Sequence, residues 1–161
     1  MLDFTIARLV HVLCVVFWIG GVAMVTTVLI PGVRDQVQSM QRVQFFEAVE
    51  AGFARQARWT VSLAGLSGFY LTYRLDAWHR FVELRYWWMH AMLTVWLLFT
   101  AMLFVLEPRF LHRWFEMHAQ RAPERIFALI QRLHWFLLAV SLITVAAAVA
   151  GSHGGLFWRD S

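Results

Sequence analysis

The sequence predicts an all-α fold, an integral membrane four-helix bundle that forms one domain over residues 1–161, and three observations predict it. The chain is 60% hydrophobic, 16% aromatic and only 15% charged, more apolar surface than a soluble domain of 161 residues can hide. Its charged residues are gathered between long uncharged runs. Four such runs, Leu9 to Val33, Trp59 to Tyr73, Tyr86 to Leu106 and Leu133 to Trp158, stand against the ~20 apolar residues that a membrane crossing needs.

The first run is too long for the apolar region of a signal peptide and has no small-x-small cleavage pattern after it, so it is expected to be a retained span of roughly 7–31. The second run is short. Its roughly 15 residues make about 22 Å of helix, so a span of roughly 53–74 must take in Arg58 and Arg55, which either snorkel to the headgroups or are buried for a purpose. The third and fourth spans are expected at roughly 86–107 and 128–151. Between the first two, Val37, Met40, Val43, Phe46, Val49 and Phe53 recur at helical spacing, which predicts an amphipathic helix lying in the membrane interface. Pro123 followed by Glu124 has the form of a helix first turn that leads into the last span.

All basic residues are arginines, and they are dispersed among apolar runs despite a net charge of +4. That dispersion argues against nucleic acid and against phosphate recognition. Arg34, Arg42, Arg55, Arg58, Arg109, Arg113, Arg121, Arg125 and Arg132 fall on one side of the four crossings, and Arg8, Arg74, Arg80, Arg85 and Arg159 on the other. The richer side is expected in the cytoplasm, which puts both termini in the periplasm of a bacterial inner membrane. The single cysteine, Cys14, excludes an intrachain disulfide and cysteine-pair metal motifs.

Chemistry at membrane depth falls to the histidines. His11 lies three residues inside Arg8 on the first span, and His90 five inside Arg85 on the third. These two spans run in the same direction, so the imidazoles come out within about 3 Å of one depth. Two imidazoles across a bundle are what axial ligation of a b-type haem requires. His11, Cys14, Trp18, Gly21 and Val25 share one stripe, and His90, Thr94, Leu97 and Ala101 another. Arg8, Arg74 or Arg80 are candidates to pair with the haem propionates.

Towards the other face, His134, Arg55 and Arg58 are candidates for a quinone or second haem site, or for plain interfacial anchors. Copper is the alternative cofactor, because His11 and Cys14 are three residues apart on one face and Met89 and Met92 flank His90; His11, His90 and His153 could also hold copper or zinc. His79, His112 and His118 read as solvated loop residues. For a lone histidine or for Cys14, packing alone is the simpler account.

The segment His11-Val-Leu-Cys-Val-Val-Phe-Trp18-Ile-Gly20-Gly21, followed by Pro31, resembles the opening span of CopD-like (copper resistance protein D) membrane proteins. Phe53-Ala-Arg55-Gln-Ala-Arg58-Trp59, followed by Ser67-Gly68, is similar to their second span. The resemblance implies a bacterial inner-membrane protein of the copper-handling group, some of whose four-helix branches bind haem. It carries over His11, Trp18, Gly20, Gly21, Pro31 and Arg55; the third span matches no family motif, so His90 rests on depth alone. The expected work is electron transfer between a membrane quinol and a periplasmic redox partner, with copper transport or resistance as the alternative. Partners beyond the lipid bilayer include a periplasmic copper protein or a second copy of the chain.

Overall fold

The computed structural model describes residues 1–36, 39–111, 117 and 123–153, and among them the chain is helical with no strand. Lipid offers backbone N–H and C=O groups no partners, so an apolar run must satisfy them within a helix. Helix α1 (Leu2–Met24) continues through a π-helical turn (Val25–Leu29) into α2 (Ile30–Gln36). Helix α3 is Ser39–Arg74, α4 is Trp87–Ala101 with a π-helical extension to Leu111, and α5 is Pro123–Ser152, which starts at the expected proline. Three stretches, Leu2–Asp35, Leu84–Glu107 and Glu124–Ser152, are long and apolar enough to cross a membrane. With α3 packed among them, they make an all-α membrane bundle of four helices.

Side-chain ties fix the order. Asp3 meets Arg74 and Tyr70, and His11 meets Ala64, so α1 and α3 are antiparallel. Trp96 Nε1 donates to the Val61 carbonyl at 2.9 Å, which sets α4 against α3. The Trp88 indole fills the notch at Gly151 and sets α4 against α5. Helices α1 and α4 are therefore diagonal, and they touch across the core where Trp18 meets Phe99 edge-on at 4.9 Å.

The expected interfacial helix between the first two spans is corrected by the fold. Residues 39–52 are instead the first half of α3, one continuous helix of 36 residues or about 54 Å, longer than the ~30 Å hydrocarbon core. Its stripe of Val43, Phe46, Val49 and Phe53 packs on Val25, Leu29, Ile30, Val33, Ile126 and Phe127, with Phe46 and Phe127 edge-on at 5.5 Å. Protein, not the headgroup layer, covers that face. Val37 lies outside the described residues.

The π-helical turn of α1 is closed from a neighbour. A wide turn breaks the regular i to i−4 ladder and releases carbonyls. Thr26 Oγ1 donates to the Val22 carbonyl at 2.6 Å, and Gln131 Nε2 on α5 donates to the Thr26 carbonyl at 2.7 Å. Gln131→Leu strands that carbonyl and is expected to lower stability by about 1–2 kcal/mol, read as an earlier denaturation midpoint in detergent.

Candidate functional site

His11 sits half-buried between α1 and α3. Its Nδ1 lies 2.9 Å from the Ala64 carbonyl and 3.3 Å from Ser67 Oγ. A carbonyl only accepts, so Nδ1 carries the proton and Nε2 of the neutral ring keeps its lone pair. Metal-bound histidines use the same arrangement, in which a carbonyl fixes ring and tautomer. Space for the ring comes from Gly68, where a Cβ would lie 3.1 Å from His11 Cε1. Gly68→Ala is thus expected to push the ring by a few tenths of an ångström and cost up to about 1 kcal/mol, visible as a shifted His11 ring resonance with a small fall in melting temperature.

His90 is turned differently. Its Nε2 lies 2.9 Å from the Phe81 carbonyl, its Nδ1 lies 3.4 Å from the Tyr86 carbonyl, and its ring meets Phe81 edge-on at 5.7 Å. The ring holds the short 3₁₀ turns Trp78–Phe81 and Leu84–Tyr86 against the start of α4. The shared depth of His11 and His90 is compatible with the register, since His11 is level with Ala64 to Gly68 and Trp96, six residues beyond His90, is level with Val61 to Gly65. His11 as it stands therefore keeps Nε2 for a ligand bond, whereas His90 would first have to turn away from Phe81.

Of the arginines expected to meet propionates, Arg74 is committed to Asp3 at 3.0 Å, Arg8 is exposed, and Arg80 lies over the Tyr86 ring at 5.2 Å. Cys14 is buried on the His11 stripe. His153 Nδ1 lies 2.8 Å from the Val149 carbonyl of its own helix. Among the described residues, no three His, Cys, Asp or Glu side chains come together as a metal-holding group, so His11, Cys14, His90 and His153 are not gathered into one cluster.

The second constellation is dispersed too. Arg58 pairs with Glu107 and donates through Nε to the Leu103 carbonyl at 3.2 Å. Arg55 is exposed, and His134 Nδ1 donates to the Ile130 carbonyl at 3.0 Å. No hydrogen bond or ion pair joins these three among the described residues. Glu107 is the residue that sequence reasoning missed. It ends the third apolar run, and only the charge of Arg58 on the second span could have marked it as that arginine's partner. Arg42 and Glu124 form a similar tie between α3 and α5. His79 donates locally to the Asp76 carbonyl at 2.9 Å, and His112 and His118 lie outside the described residues.

The fold and these residues define a multi-pass helical membrane protein with an oriented imidazole inside the bundle. Comparison with family models, curated proteins and solved structures finds no match to the chain.

Proposed function

We propose that this protein is a bacterial inner-membrane carrier of electrons that holds haem b through His11, with His90 as the second ligand, and passes electrons from membrane quinol to a periplasmic acceptor. The observation that carries the reading is the His11 ring, whose Nδ1–H is spent on the Ala64 carbonyl so that Nε2 is left for a ligand bond. An imidazole at membrane depth is a functional site by default, because lipid gives it no other reason to be polar. Bound haem supplies a one-electron couple.

The chain supplies orientation. Ala64 and Ser67 fix the angle of His11, Gly68 makes room for its ring, and His90 would have to leave the Phe81 carbonyl to serve as a ligand. The arginine imbalance of nine against five supports both termini in the periplasm. Copper(I) transport in the manner of the CopD-like proteins is the second reading. It is favoured by Cys14, a buried thiol three residues from His11 on the same face.

Haem and metal content of protein purified from haem-replete cells separates the readings. Haem near one equivalent per chain supports the first. Copper without haem transfers the assignment to the second, and neither group overturns both.

A further inference from the structure

Residues 75–86, between α3 and α4, carry two arginines that the fold brings to one ring. Arg80 and Arg85 lie 5.2 and 4.9 Å from the Tyr86 centroid, so the two guanidinium groups are no more than about 10 Å apart. Arg85 is neutralised by Glu83 at 2.5 Å. Arg80 has no ion-pair partner among the described residues, although Asp76 belongs to the same loop; its Nε is shut off from solvent, so the terminal nitrogens of this partly buried side chain are what an outside anion can meet. A guanidinium without a carboxylate partner favours an anion with several oxygens on its terminal nitrogens.

The loop's surroundings say which anion is within reach. Val82 and Leu84 are 84% and 86% exposed, and the indoles of Trp78 and Trp87 are also exposed. Apolar tips beside indoles at the end of a membrane span belong at the boundary between acyl chains and headgroups. Phosphates are the anions at that depth. We propose that Arg80, held against Tyr86, binds the phosphate of a membrane phospholipid at this end of the bundle. The ring limits the rotamers of Arg80. The site is therefore built before the lipid arrives. It rests on the loop alone and stands whether or not haem binds.

The test is native mass spectrometry of the full chain, released from dodecyl maltoside in the presence of phosphatidylglycerol. Wild type is expected to retain the lipid, Arg80→Gln to bind it about tenfold more weakly, and Arg80→Lys to fall between them, since lysine keeps the charge and loses the fork. Arg132→Gln, which removes an exposed cation at the other end, is expected to match wild type. Excess inorganic phosphate is expected not to displace the lipid. Equal retention by wild type and Arg80→Gln overturns the proposal, as does an equal loss in Arg132→Gln. Displacement by inorganic phosphate overturns the lipid assignment in favour of a soluble anion. An Arg80 effect confined to haem-loaded protein overturns it in favour of a propionate.

Discussion

His11→Ala is expected to abolish haem binding and to loosen the pairing of α1 with α3 at the same time. Among the described residues, His11 is the one histidine that stands between two helices with Nδ1 on a neighbouring helix's backbone 53 residues away in sequence. Removing it takes the donor from the Ala64 carbonyl and leaves a gap beside Gly68, which is expected to cost about 1–2 kcal/mol in the haem-free protein. The loss of haem would be the larger effect, because the proposed ligand and its oriented tautomer disappear together. His11→Gln separates the two parts. Glutamine can donate to Ala64 and restore much of the stability, and it is expected to leave haem content near zero. Haem content and the denaturation midpoint, measured on the same preparations, check both statements.

Gly65→Ala is expected to be strongly damaging for a single methyl in the bundle. A Cβ at this position on α3 would lie 2.5 Å from Cε2 and Cζ2 of Trp96 and 2.6 Å from its Nε1. The indole cannot slide away without cost, since Nε1 donates to Val61 at 2.9 Å and the ring packs edge-on against Phe69 at 5.6 Å. Overpacking and the strained hydrogen bond together are expected to cost about 2–4 kcal/mol. Helices in lipid associate through such close packing, because the solvent is as apolar as their side chains. Gly20→Ala is the control. No atom lies within 4 Å of a Cβ there, so that variant is expected to be neutral or slightly more stable. Denaturation midpoints in one detergent rank the two, and a Gly65→Ala protein as stable as Gly20→Ala contradicts the packing described.

The sequence carries the membrane character and the three most apolar helices in full, because hydropathy is a local property that needs no partner. It carries α3 less clearly. The first half of that helix is polar and the second half is short of a full crossing, so the mean hydropathy falls although the helix is unbroken. The stripe of Val43, Phe46, Val49 and Phe53 misleads for a related reason, since a helix face spaced for a lipid interface is spaced equally well for a groove between α1 and α5. Periodicity names the face and not its cover.

At the candidate site, residue counting speaks to depth and not to direction. Counting residues from Arg8 and Arg85 places His11 and His90 near one level, but rotation about each helix decides whether the rings look at one another. His11 looks at Ala64, and His90 looks at Phe81. The pairing of Arg58 with Glu107 and the meeting of Arg80 with Arg85 on Tyr86 are likewise products of tertiary register and of a tight loop. A run of arginines dispersed along a chain says nothing of which ones a fold will gather.

The most direct test of the central claim is a reduced-minus-oxidised absorption spectrum of the purified wild-type chain beside His11→Ala and His90→Ala. The account predicts a Soret shift with sharp α-bands in wild type that is lost in both variants. A colourless wild type made under haem-replete conditions, or a spectrum unchanged in His11→Ala, contradicts it.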